Sequence, residues 1–251
     1  MIREQTVGAT AVITLDNPSR RNALSMALRE ALIDAIERAE TNPAIRAIVL
    51  TGTDKNFSAG ADITDMNATT FPAGRARFAI SHRLVRSLIA NTKPCIAAVE
   101  GWAVGAGLGL ALCCDTIVAA TDARFMTGFS KIGLIPDFAL LHTLPTRIGQ
   151  GRARQMFLHN TQIDAPTAET IGLIDILCPP GQSLTTALAL AESLAEAAPL
   201  PIAMTKNYLA QPLDAALDWE RNTQSTMFLT ADHAEGKKAF LEKRTARFTG
   251  K

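Results

Sequence analysis

The sequence predicts an α/β fold whose strand-turn-helix units give way to a helical C-terminal region, and three observations carry that expectation. Short apolar, partly β-branched runs at 10–15, 45–51, 95–99 and 116–120 read as buried strands, with amphipathic or alanine-rich segments between them. Two of these runs are followed by turns rich in glycine and alanine, at 58–62 and 104–107. Beyond Gly133-Leu134-Ile135-Pro136-Asp137 the pattern is helical apart from one short apolar run at 173–178.

Thr10–Leu15 (TAVITL) pairs with a strand over 2–5 across Gly8, and Asp16-Asn17-Pro18 stops it. The segment 25–40 carries Met26, Leu28, Leu32, Ile33 and Ile36 near helical spacing, with Asn42-Pro43 as terminator. A mostly buried strand over 45–51 then ends at Gly52, and NFSAGADITDM (56–66) forms a small-residue turn before a helix over 73–91. Lys93-Pro94 introduces strand Cys95–Val99, the turn GWAVGAG, a helix over 106–114, strand Thr116–Ala120 and an extended piece at 124–126. Helices follow over 139–148, 151–158 and 166–171, then a strand over 173–178 and helices over 184–197, 201–209, 213–229 and 233–247, divided by Pro199, Pro201, Pro212 and an Asp232 cap.

Composition removes several function classes. A content of 47% hydrophobic against 20% charged residues is that of a globular enzyme, in one large domain or two. The formal charge of +1 and 5% aromatic residues provide neither a basic footprint nor stacking platforms, so nucleic acid is not an expected partner. The longest apolar run, near Leu108 to Cys114, falls short of the roughly 18 residues a spanning helix requires, so no membrane attachment is expected. With no signal-like segment over 1–17, the expected location is cytoplasmic. Cys95, Cys113, Cys114 and Cys178 lie in apolar runs at spacings that suit neither a zinc site nor a disulfide framework; they read as reduced core residues, and no metal is expected.

The glycine turn lies where a strand feeds a helix, a junction whose free N–H groups and dipole favour an oxyanion or a phosphate. A dinucleotide fingerprint would need glycine at 110, where Leu110 stands, and the Walker, G-x-S-x-G and H-E-x-x-H patterns are absent. Close strand-helix packing is the alternative explanation of these glycines. In α/β layering ligands sit outside the carboxyl ends of strands, so the turns at 58–62 and 104–107 are placed to face one site.

FSAGAD (57–62) with Ile63, and GWAVGAG (101–107), resemble the two signature segments of the crotonase, or enoyl-CoA hydratase/isomerase, superfamily. The similarity runs nearly end to end, through PSRRNAL (18–24), Lys93-Pro94, Cys114-Asp115, KIGLIP (131–136), AETIGL (168–173) and EGKKAFLEKR (235–244). It implies a crotonase-like spiral of ββα units over 1–195 with a helical C-terminal trimerisation region over 196–251, assembled as a homotrimer or dimer of trimers. It implies too an acyl-CoA substrate, coenzyme A entering as part of the thioester and not as a bound cofactor. The backbone N–H groups that hold the thioester oxygen in the family match Ala61 and Ala106, Ala106 standing where relatives usually carry glycine.

The two glutamates that hydratases of the family use match Gly109 and Phe129, so both carboxylates are missing. Asp137 matches an aspartate that isomerases of the phenylacetate pathway and aryl-CoA dehalogenases place in the acyl pocket. One carboxylate suffices to move a proton between C2 and C4 of an enoyl thioester, which makes double-bond isomerisation the expected reaction. Hydration, thioester hydrolysis, dehalogenation and non-catalytic CoA binding are the alternatives. By its own position, without the resemblance, Asp137 reads first as the N-cap of the helix that follows, and the two roles are compatible. His142 reads as a surface or core histidine. The resemblance also implies CoA contacts from Arg20, Arg21, Ala23, Ala59, Asp62, Ile63, Phe240 and Lys243, with Asp62 and Asp115 serving as turn scaffold and Phe240 and Lys243 reaching the CoA of a neighbouring subunit.

Overall fold

The computed structural model describes all 251 residues. Strands β1 (Ile2–Val7) and β2 (Thr10–Leu15) form the opening antiparallel hairpin, with Gly8 at φ +56° in the turn between them. β3 (Ala47–Gly52), β4 (Cys95–Val99), β6 (Thr116–Ala120) and β9 (Ile176–Cys178) then add in parallel, giving the order β1-β2-β3-β4-β6-β9. A second, small sheet has the order β5 (Trp102–Val104), β7 (Arg124–Met126) and β8 (Ile163–Asp164).

Alternation along the parallel strands separates two cores. Ile48, Leu50, Ala97, Val99, Ile117 and Ala119 face the large core with α1 (Met26–Thr41), whereas Ala47, Val49, Ile96, Ala98 and Val118 face α6 (Ser183–Glu196) through Ala187 and Ala191. Both faces of the sheet are covered, which explains why these strands read as unbroken apolar runs. α2 (Phe71–Ile89) packs against α1 and against α8 (Leu213–Met227), while α7 (Pro199–Ala210) makes lighter contact with α2. α9 (Ala231–Leu241) lies on the short 3-10 turn Phe129–Ile132. No single helix is long and apolar enough to cross a membrane.

Local chemistry sets the boundaries. The Ser25 side chain accepts from Leu28 N–H to start α1, and Thr70 accepts from Ala73 N–H, so α2 begins ahead of the expected residue 73. Helices α3 (Ala106–Leu112) and α5 (Ala165–Thr170) are short; Leu173 and Ile174 donate back to the Ala168 carbonyl, which confines β9 to 176–178 instead of 173–178. α4 (Leu140–His159) breaks at Gly149, whose φ of 77° and ψ of 155° are non-helical, so the expected pair of helices meets there. The last helix stops at Leu241 and not at 247. Lys243 takes the left-handed conformation and Arg244 N–H bonds the Ala239 carbonyl, after which Thr249 and Gly250 donate to Asp232.

Leu32 on α1 is fully buried in the large core. Leu32→Ala is expected to lower unfolding free energy by about 2–5 kcal/mol, measured by denaturant titration.

Candidate active site

Two backbone crossings join the small-residue turns. Ser58 N–H donates to the Trp102 carbonyl at 2.9 Å and Val104 N–H to the Ser58 carbonyl at 3.0 Å, extending the small sheet by one residue. The approach is close enough to demand glycine on both sides. A Cβ on Gly60, at φ +99°, would stand 2.7 Å from the Val104 carbonyl oxygen, and one on Gly107 would stand 2.6 Å from that of Ser58.

Amides around the first turn are spent on the scaffold. Ala59 N–H bonds the Arg21 carbonyl, Gly60 N–H bonds Ser58 Oγ, and Asp62 N–H bonds the Leu24 carbonyl. Ala61 N–H has no protein acceptor. At the second turn Gly105 N–H goes to the Met126 carbonyl, while Ala106, as first residue of α3, has no upstream helical carbonyl to bond. Ala61 and Ala106 line one cavity of about 140 Å³ with Ala59, Gly60, Ile63, Met66, Gly105, Phe129, Ile132, Asp137 and Phe240. Two unpaired amides at a mainly apolar cavity are suited to receive an oxygen on which negative charge develops.

Asp137 is the one carboxyl of that cavity and is 5% exposed. Its Oδ2 accepts from Gln224 Nε2 at 3.3 Å and its Oδ1 has no partner. The capping alternative does not hold, because its side chain bonds no helix amide. Phe138 and Ala139, both left-handed at φ 58° and 59°, instead donate to the Glu220 carboxylate at 3.0 and 2.9 Å. Glu220 also bonds His82 Nε2 at 2.8 Å. Burial, and next the Glu220 charge, push the Asp137 pKa up to about 7 against the opposing effects of Arg29, the Gln224 bond and Arg77.

The hydratase positions are closed to carboxylates in different ways. A Cβ on Gly109 would lie 2.5 Å from Phe138 Cβ and 2.9 Å from the Phe138 carbonyl oxygen, so the loop carrying Asp137 fills that space. Phe129 puts an apolar ring on the cavity wall.

The residues expected at CoA divide into two groups. Ala59, Ile63 and Phe240 line the cavity, and Phe240 does so within its own chain, where the resemblance implied a neighbouring subunit. Arg20 Nη1 bonds both Asp62 oxygens, at 3.0 and 2.9 Å, and Thr64 Oγ1 at 2.7 Å, so Arg20 and Asp62 brace the turn beside Ile63. Arg21 is exposed and Ala23 buried next to that brace, and Lys243 stands exposed past the end of α9; none of the three lines the cavity. Asp115 accepts from Cys95 N–H and pairs with buried Lys206, as scaffold. All four cysteines are buried and unpaired.

Sequence reasoning missed Glu220, Gln224, His82, Arg29 and Arg77. A signal was present. Leu213, Leu217, Glu220 and Gln224 share one buried face of α8, and Arg77, Phe78, Ser81, His82 and Val85 share one on α2, so charged and polar residues interrupt apolar stripes.

Asp137 holds its proton in the native state to higher pH than in the unfolded chain, so the native state binds more protons between about pH 4 and 7 and loses stability as pH rises through that window. Asp137→Asn is therefore expected to be the more stable protein above pH 7, by on the order of a few kcal/mol, with the difference vanishing toward pH 4 in denaturant titrations.

Known proteins resemble the chain over nearly its whole length. The family model described as Enoyl-CoA hydratase/isomerase matches residues 5–251. The chain is 37% identical to the 2,3-dehydroadipyl-CoA hydratase of Escherichia coli over 248 residues, covering 96% of this chain and 95% of that protein. It is 36% identical to the 1,2-epoxyphenylacetyl-CoA isomerase of the same organism over 247 residues, covering 95% and 94%. A crystal structure of an enoyl-CoA hydratase from Mycobacterium avium subsp. paratuberculosis superposes with a TM-score of 0.89 at 29% identity, covering 99% of this chain and 98% of that one. With its fold, its paired turns and these similarities over nearly its full length, the chain belongs to the enoyl-CoA hydratase/isomerase family, whose members act on acyl-CoA thioesters.

Proposed function

We propose that the protein is an enoyl-CoA double-bond isomerase in which Asp137 shuttles the proton and the Ala61 and Ala106 amides hold the thioester oxygen. Relatives carry both hydratase and isomerase names, so the choice rests on the site. The observation that carries it is a single buried carboxyl, with one unpaired oxygen, on the same cavity as two unpaired amides. Water activation by a glutamate pair has no counterpart at Gly109 and Phe129.

In this reading the Asp137 carboxylate removes a proton from C2 of a 3-enoyl thioester. The C–H electron pair moves into the conjugated system, and charge collects on the thioester oxygen facing the two amides. The protonated Asp137 then returns the proton at C4, leaving the 2,3-double bond conjugated with the carbonyl. A pKa near 7 serves both halves, since the group must accept and release a proton at the same pH. Hydration, thioester hydrolysis and dehalogenation would each give a different product on the same acyl-CoA panel.

We also propose self-assembly as a homotrimer or dimer of trimers. Leu200, Met204, Tyr208 and Leu209 of α7 are each more than 60% exposed, an apolar area that a subunit contact would cover. Light scattering would give three or six chain masses; a monomer would refute this.

Incubation with a 3-enoyl-CoA is expected to yield the conjugated 2-enoyl thioester, followed by ultraviolet absorbance. Asp137→Ala should lose at least about 100-fold in kcat, and full activity in that variant would sink the mechanism. Ala106→Pro removes one amide at a helix position that tolerates proline; a loss of about 10²–10³ in kcat with a retained melting temperature is expected.

A further inference from the structure

Helix α8 supplies the side-chain hydrogen bonds that hold Asp137 and its neighbours. Glu220 receives the amides of Phe138 and Ala139, the two residues that follow Asp137. One turn further along, Gln224 takes Ile135 N–H at 3.2 Å, donates to the Ile135 carbonyl at 2.8 Å and donates to Asp137 Oδ2. Both sides of the aspartate are thus fixed to two side chains four residues apart on one helix face.

The backbone so fixed is costly in itself. Left-handed geometry is strained at a residue with a Cβ, and two such residues in succession persist only where the surroundings impose them. Glu220 imposes them by accepting both amides at once, and it is 1% exposed, so those bonds are sheltered from water. Its third bond, to His82 Nε2, comes from α2, and three partners together set the direction of the carboxyl group.

The charges around the pair come from three helices. Arg29 of α1 lies with its guanidinium carbon 5.1 Å from the Phe138 ring centroid and acts on both Asp137 and Glu220. From α2 come Arg77, which bonds the Asp65 carbonyl, and His82. The Asp65 charge acts on both arginines, and the Cys113 thiol at the end of α3 approaches the Phe138 carbonyl at 3.9 Å. Glu220 is the like charge that bears on Asp137, and its bonds to the Phe138 and Ala139 amides tie it to the geometry of the loop.

We propose that Glu220 is the positioning residue of this site: with His82 orienting it, its carboxylate folds the 137–139 loop so that Asp137 faces the cavity. The same carboxylate bears on Asp137 as a like charge and raises its proton affinity. This rests on Asp137 being the proton shuttle, and the experiment separates the two claims. Carbon-13 carboxyl NMR of the full-length protein reads the Asp137 titration directly, without activity. Glu220→Gln should lower the Asp137 midpoint by about one pH unit, the size expected for removing a nearby like charge, and shift the lower limb of the kcat–pH profile of isomerisation with it while KM changes little. An unmoved midpoint in folded Glu220→Gln overturns the proposal whether or not the protein isomerises anything. A moved midpoint in a protein inactive on every enoyl-CoA leaves the Glu220 assignment standing and removes only the isomerase reading. Should Glu220→Gln not fold, Glu220→Asp keeps the charge and shortens the reach; faster hydrogen exchange at the Phe138 and Ala139 amides is then expected, and wild-type protection there overturns the proposal.

Discussion

The two hydrogen bonds between Ser58 and β5 are the constraint on which the rest of the site depends. They hold two loops, far apart in sequence, at backbone contact distance, and leave Ala61 and Ala106 at one cavity with their amides unpaired. The glycines at 60 and 107 follow from that contact, since either side chain would strike a carbonyl oxygen across the seam. The large parallel sheet supplies the rigidity: β3 and β4 are packed on both faces, so the loops at their carboxyl ends inherit fixed positions.

A second layer of the site is electrostatic. Asp137, Glu220, Arg29, Arg77 and His82 are all buried, in a protein whose remaining buried residues are overwhelmingly apolar or small. Charges in such surroundings persist when each has a partner, and most here do: Arg29 bonds the Leu24 carbonyl and Ser81, and Glu220 is met by three donors. The exceptions are Asp137 Oδ1 and Arg77 Nη2. An unpaired oxygen on the one carboxyl of the cavity is a stability cost of the kind that functional sites carry.

Much of this was legible in the sequence, for identifiable reasons. Buried parallel strands announce themselves as apolar runs, and the glycine-alanine turns mark where backbone must approach backbone, so the sheet and the paired turns followed from short stretches of chain. Boundaries set by individual hydrogen bonds did not: the shortening of β9 depends on Leu173 and Ile174 bonding Ala168, and the end of α9 on a left-handed Lys243. Asp137 is conspicuous in the sequence, but only the structure shows that Glu220, and not Asp137, meets the amides that follow it. Glu220 lies more than eighty positions away along the chain, and local spacing carries no trace of that contact.

Gly109 has a consequence for how such sites diverge. The room a side chain would take at this position is occupied by the Cβ and carbonyl of Phe138, one residue from Asp137. Presence of the aspartate loop and absence of a carboxylate on α3 are thus one packing decision, not two independent ones. A glutamate introduced at 109 alone would overfill this space unless the loop carrying Asp137 refolds.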